Sequence, residues 1–253
     1  MQVAVLASGS RGNATFIEME GVRILVDAGI STRRIKQELS AIGEDIADID
    51  AIFITHEHVD HINGLTTMTK KYGTALYSRP DTFRAMKCYE NLPPECINPI
   101  IDQVRLGRVS VRAFDISHDA ANPVGYVIQG SCRCVVATDI GYMTPTIQKA
   151  LEGAQVAVLE ANHDVDMVKN GDYPRNLKQR ILGTQGHLSN VDTGLTLTRL
   201  QQPPQQVFLA HLSEANNRPS LAMETVQNIL TQKGLKQIKL YMTAQNQCVS
   251  IKY

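Results

Sequence analysis

Short apolar, often β-branched runs recur along the chain, each closed by polar or turn-forming residues and interleaved with longer stretches of helical period. The alternation predicts strands over residues 2–7, 14–19, 22–27, 51–55, 109–117, 124–129, 132–138, 155–160, 206–210 and 247–251. It predicts helices over 31–41, 62–72, 81–87, 144–151, 173–182, 190–201 and 220–233, with Pro145 just inside one of them as a start signal. The pattern is mixed α/β. Nothing in it reads as a linker or a repeat, so residues 1–253 are expected to form a single domain.

A second regularity lies at the strand ends. Strand after strand runs apolar and stops on a polar or ionisable residue: Ser8, Asp27, His56, His118, Asp139, the run from Glu160 to His163, and His211. In layered α/β folds, ligands gather at the sheet edge where strands stop and loops begin. Endings of this kind on one edge would make a polar floor able to hold metal.

Composition narrows the classes. The 253 residues are near the length at which one hydrophobic core stops growing, and 43% hydrophobic against 20% charged residues excludes a disordered or low-complexity chain. With 25 basic and 25 acidic residues the formal charge is zero, so a uniformly basic nucleic-acid coat is excluded and any phosphate-binding surface must be local. No apolar run approaches the roughly 20 residues of a membrane span. The opening MQVAVLASGSRGN has no basic n-region and reads as a first strand, so a cytoplasmic location is expected. The five cysteines are odd in number and share no spacing, which argues against a disulfide framework; Cys132 and Cys134 read as packing residues on one face of a strand.

The strongest chemical signal is His56-Glu57-His58-Val59-Asp60-His61, directly after an apolar strand. His56 and His58 can face one cation, and Asp60 and His61 a second about 3.5 to 4 Å away. The strand ends complete two sets: His56, His58 and His118 around one metal, Asp60, His61 and His211 around the other, with Asp139 bridging. Imidazole and carboxylate donors without thiolate suit two divalent ions, zinc first and manganese second. Asp27 and Glu160 are expected to orient imidazole rings. Such a site predicts hydrolysis by a hydroxide held between the cations, because metal binding lowers the pKa of water from 15.7 towards roughly 7, with Asp60 both ligating and orienting it.

The order Asp27, HxHxDH, His118, Asp139, His211 resembles the metallo-β-lactamase family, which implies an αββα four-layer sandwich with a dinuclear site along one sheet edge. The segments Leu6-Ala7-Ser8-Gly9-Ser10, Thr138-Asp139-Ile140-Gly141-Tyr142, Leu159-Glu160-Ala161-Asn162-His163-Asp164, Gly186-His187-Leu188-Ser189-Asn190 and Ala210-His211-Leu212-Ser213-Glu214 are similar to its YycJ/WalJ branch. That branch implies an exonuclease acting on DNA, with 5′-to-3′ polarity. No β-CASP insertion separates Asp139 from His211 and no long exosite arm is present, which makes DNA a better substrate than RNA. HxHxDH by itself also fits small-molecule hydrolases of the lactonase or glyoxalase II type, and a regulatory binding protein could keep the fold.

Three features have two readings each. His163 and His187 either brace loops or line the pocket as catalytic groups, contacting a scissile phosphate or protonating the leaving oxygen. Residues 8–13 form either an anion-binding nest of backbone N–H groups or a plain tight turn. The basic stretch 169–180, with Lys169, Arg175, Lys178 and Arg180, is either a solvated helix face or a wall that tracks a phosphate backbone.

Overall fold

The computed structural model describes residues 1–253. Its fourteen strands form two seven-stranded sheets. The first contains β1 (Gln2–Ala7), β2 (Ala14–Met19), β3 (Val22–Val26), β4 (Ala51–Phe53), β5 (Ala75–Ser78) and β6 (Ile97–Pro99), in that order, with β14 (Val249–Lys252) beside β1. The second runs from β7 (Gln103–Leu106) through β8 (Val109–Asp115), β9 (Val124–Gln129), β10 (Arg133–Ala137), β11 (Val156–Glu160) and β12 (Gln206–Ala210) to β13 (Lys239–Met242). The helices are α1 (Thr32–Ala41), α2 (Val59–Ile62), α3 (Leu65–Tyr72), α4 (Pro80–Ala85), α5 (Pro145–Leu151), α6 (Val165–Asn170), α7 (Arg175–Ile181), α8 (Asn190–Arg199) and α9 (Pro219–Gln232).

Period-2 burial explains the layering. On β8, Val109, Val111 and Ala113 face the other sheet and meet Val3, Ile17, Phe53 and Phe208 in a buried layer between the sheets. The outer face of the first sheet packs Leu6, Phe16 and Leu25 against Ile35 and Leu39 of α1 and Leu65 and Met68 of α3. The outer face of the second packs Val135 and Leu159 against Ile147 of α5, Leu197 of α8 and Val226 and Leu230 of α9. The result is the αββα sandwich that the motifs imply. All five cysteines are free, and Cys134 packs in the inter-sheet core. No helix is long and apolar enough to cross a membrane.

The structure departs from the sequence pattern mainly at short elements. β5, β6, β7 and β13 have three or four residues each, too few to show a period. The helix expected over 62–72 is split into α2 and α3 at Asn63–Gly64, and the one expected over 173–182 is α7, preceded by a separate α6. In the first split Gly64 is required. A Cβ there would lie 2.5 Å from the carbonyl oxygen of Ile30, and the Gly64 N–H donates to Ala28 O, so backbone packs on backbone beside the HxHxDH segment.

Candidate metal centre

The site is built where strands stop. Asp27 follows β3, Asp139 follows β10 and His211 follows β12, and all three take the left-handed conformation, with φ of 62°, 61° and 57°. The fourth non-glycine residue of that kind, Glu20, sits in the β2–β3 hairpin turn, so the rest of this strain is concentrated at one edge of the sandwich, where strands of both sheets stop. Each such residue costs roughly 1–2 kcal/mol, which the surrounding hydrogen bonds must offset. At His211 they are visible: its N–H donates to Ser8 Oγ at 2.7 Å and its carbonyl accepts from Asn162 Nδ2 at 2.7 Å.

Two donor sets converge there. His56 Nε2 lies 3.0 Å from His58 Nδ1, and His118 closes the first set. In the second, Asp60 Oδ2 lies 3.4 Å from His61 Nε2 and 3.7 Å from His211 Nε2. Asp139 reaches both, with Oδ1 3.7 Å from His118 Nε2 and Oδ2 3.4 Å from His61 Nε2. Asp139 Oδ2 and His211 Nε2 are buried without any hydrogen-bond partner, an arrangement costly unless a cation completes it.

The far nitrogen of four of these five histidines is held. His61 Nδ1 sits 2.8 Å from Asp27 Oδ2, His211 Nδ1 2.9 Å from Glu160 Oε1, His118 Nδ1 3.1 Å from the Gly186 carbonyl, and His56 Nδ1 3.0 Å from Thr55 Oγ1. Partners of this kind fix ring orientation and aim the opposite nitrogen at a metal. Burial lowers the pKa of His56 and His118, leaving them neutral and ready to ligate. Burial also disfavours charge on His61 and His211, but Asp27, Asp139 and Asp60 carry His61 well above its usual value, and Asp139 with Asp60 lifts His211 to about 10. Asp139 is held well below the carboxylate range by His211 and His61 against burial, and Asp60 is likewise low beside His61. Divalent cations would displace the protons on His61 and His211 and keep this cluster balanced, so the residues fit such ions.

A cavity of about 170 Å³ opens over these donors. His58, Asp60, His118, Asp139 and His211 form its floor; Leu177, Arg180 and Ile181 of α7 form the facing wall. His187 lines it too, with Nδ1 2.9 Å from Glu160 Oε1. His163 does not, contrary to its reading as a pocket group. It is 1% exposed, and a bridge to Ser189 ties its segment behind the floor, with Nδ1 lacking any partner. Of the basic stretch only Arg180 reaches the cavity, paired with Asp119 at 3.2 Å; Lys178 donates to the Lys169 carbonyl, and Lys169 and Arg175 are exposed. Residues 8–13 are the tight turn and not a nest. The N–H groups of Gly9, Arg11, Gly12 and Asn13 donate to Asn13 Oδ1, Gln245 Oε1, Gly9 O and Asp60 O.

The sequence model of the beta-lactamase superfamily domain matches residues 22–212, a span that contains every residue of both donor sets. The chain belongs to this superfamily. Two relatives cover nearly all of it. The exodeoxyribonuclease YycJ of Bacillus anthracis is 36% identical over 92% of this chain and 90% of its own length. The exodeoxyribonuclease WalJ of Streptococcus pneumoniae is 38% identical over 92% and 89%. The metallo-β-lactamase fold protein YhfI of Bacillus subtilis superposes with a TM-score of 0.74 at 13% identity, covering 98% of each chain. The YycJ/WalJ resemblance drawn from the motifs holds, and the chain is a metal-dependent hydrolase of this fold.

Three supporting residues of this superfamily member carry no metal chemistry, and the sequence pattern assigns them no role in holding the donors. Thr55 bridges Asp27 and His56, with Oγ1 2.9 Å from Asp27 Oδ2. Asn13 Nδ2 lies 3.4 Å from Asp60 Oδ2. Gly29 lies against the Asp60 backbone so closely that an added Cβ would sit 1.6 Å from the Asp60 carbonyl oxygen. Gly29→Ala is therefore expected to push the HxHxDH segment off its seat and to destabilise the fold by about 3 kcal/mol. Chemical denaturation measures this, and a change below about 0.5 kcal/mol would show that the segment adjusts freely.

Proposed function

We propose that this chain is a nuclease that hydrolyses phosphodiester bonds of DNA, acting as an exonuclease with 5′-to-3′ polarity and using two divalent cations, zinc or manganese. The observation that carries the reading is the cavity itself: two donor sets sharing Asp139 on one side, the His187–Glu160 pair beside them, and the Arg180 guanidinium on the wall. The two exodeoxyribonuclease relatives support DNA as the substrate.

His56, His58 and His118 would hold one cation, Asp60, His61 and His211 the other, and Asp139 both. Bound there, such ions supply Lewis acidity, which acidifies water and offsets charge on phosphate oxygens. The chain's own groups do the rest. Asp60 Oδ1 would accept a hydrogen bond from the attacking water and set its direction. Arg180 anchors a non-bridging phosphate oxygen. Glu160 keeps Nδ1–H of His187 in place, so a protonated His187 presents Nε2–H to the leaving nucleoside oxygen. As the water oxygen bonds to phosphorus, the bond to the leaving oxygen breaks and the His187 proton moves onto it, while the proton shed by the attacking water passes to bulk solvent, from which His187 is recharged.

A panel of end-labelled duplex DNA, single-stranded DNA, RNA, a thioester and a lactone, each with zinc or manganese, tests this. Duplex DNA should be degraded fastest, with mononucleotides released from the 5′ end. Faster turnover of the thioester or lactone overturns the reading in favour of a small-molecule hydrolase.

A further inference from the structure

A second charged surface lies on the outer face of the second sheet, away from α7. On β8, Val109, Val111 and Ala113 point into the core, so Ser110 and Arg112 point outward. The strand register then gathers residues far apart in sequence. Arg105 of β7 pairs with Ser110, Ser110 with Gln129 of β9, and Gln129 with Arg133 of β10, while Arg112 occupies the next outward position of β8. Lys149 of α5 joins them, because Arg133 Nη2 reaches the Lys149 carbonyl at 3.4 Å. Arg112, Lys149 and Arg79 line one groove of about 300 Å³.

The band is short of counter-charge. Only Asp102 and Asp115 face the groove, and of its cations Arg79 alone is in an ion pair, with Asp115 at 3.3 Å. Arg79 Nε is buried without a partner. Arg112 lowers the pKa of Arg133, after burial, so the two cations feel each other. Arg105 sits on the edge strand β7, where charge also guards a sheet edge. Arg112 and Arg133 lie on interior strands, in a chain whose formal charge is zero.

The band also starts near the metal centre. Arg112 is six residues before His118, at most about 22 Å along the chain, and Ser110 beside Arg105 is eight residues before it, at most about 29 Å. At about 3.4 Å of rise per base pair these limits correspond to roughly six and eight steps of a duplex. We propose that this band binds the phosphate backbone of the duplex DNA that trails from the metal centre. The proposal rests on the nuclease reading and adds to it a second contact region several base pairs from the scissile bond.

The test is the triple variant Arg105→Gln, Arg112→Gln, Lys149→Gln, all exposed positions; Arg133 is kept because its guanidinium holds the α5 carbonyls. Binding is read by fluorescence anisotropy on a duplex of roughly 20 base pairs and a hairpin of roughly four, between about 50 and 200 mM salt. On the long duplex the slope of log affinity against log salt should flatten by up to about 2.7, some 0.9 for each lost phosphate contact. On the hairpin it should not change, and neither should hydrolysis of bis(p-nitrophenyl) phosphate, which reports an intact centre. An unchanged slope on the long duplex, or equal flattening on both DNAs, overturns the band while leaving DNA cleavage by the wild type in place. A wild type that binds no duplex overturns the band and the DNA substrate together.

Discussion

Asp60→Ala is expected to lower turnover of DNA by at least roughly 1,000-fold, the scale of losing a few kcal/mol of transition-state stabilisation at a metal site. Reconstituted wild type should hold close to two equivalents of metal by elemental analysis, and the variant fewer, because Asp60 supplies one donor set while His56, His58 and His118 remain complete. The fold should survive. Asp60 lies in the short helix α2 with its side chain 25% exposed, and its buried neighbours keep other partners or are already unpaired: Asn13 Nδ2 still donates to the Gly9 carbonyl, His61 Nε2 still faces Asp139 Oδ2, and His211 Nε2 has no hydrogen bond to lose. Unchanged far-UV circular dichroism with activity gone is the expected pair of observations. Wild-type turnover in Asp60→Ala under equal metal loading, or metal near zero in folded wild type, would sink the assignment. His61 is the poorer probe. It is fully buried against Asp27, and its removal would leave that carboxylate unpaired at a cost of about 3–5 kcal/mol, so lost activity in His61→Ala would be confounded with unfolding.

The candidate centre was legible in the sequence because its donors announce themselves twice, by residue type and by position at strand ends. Asp27, Asp139 and His211 end strands whose apolar runs are unmistakable; parallel register aligns the ends of β10, β11 and β12 in the second sheet, and the packing of the two sheets sets the end of β3 beside them. The groups that hold the donors were harder to see. Thr55 and Asn13 act through hydrogen bonds to residues far off in the sequence or to neighbours already assigned to metal, and Gly29 acts by having no side chain, so their supporting roles do not show in the local sequence of a strand end or a turn. Short strands escaped for a related reason: β13 and β6 are made by pairing with a neighbour and carry too few residues to show alternation. The outer basic band shows the same limit at longer range. Arg105, Arg112, Arg133 and Lys149 are scattered over 45 positions, and only the cross-strand register puts them side by side.

The two histidines left outside the ligand sets had equal standing in the sequence, each within a run of polar residues, and burial separates them. His187 lines the cavity with its Nδ1 on Glu160, whereas His163 is enclosed behind the floor. His187→Ala is therefore expected to lower the rate at saturating DNA by roughly 100-fold or more while changing KM little, as for a group that acts only in the transition state. The size of the loss should follow the leaving group. A nitrophenolate departs without a proton, so the same variant should hydrolyse bis(p-nitrophenyl) phosphate within a few-fold of wild type, a split that general damage to the centre would not produce. Glu160→Gln should show a weaker form of the same split, because the ring loses the carboxylate that fixes its Nδ1–H; it also loosens His211, so its metal content must be measured alongside. His163→Ala should leave kcat near the wild-type value and instead lower stability by about 1–3 kcal/mol through the cavity left behind. Equal losses for His163→Ala and His187→Ala on DNA, or an equal loss for His187→Ala on both substrates, would refute proton donation by His187, because neither pattern follows from a proton delivered to one leaving oxygen.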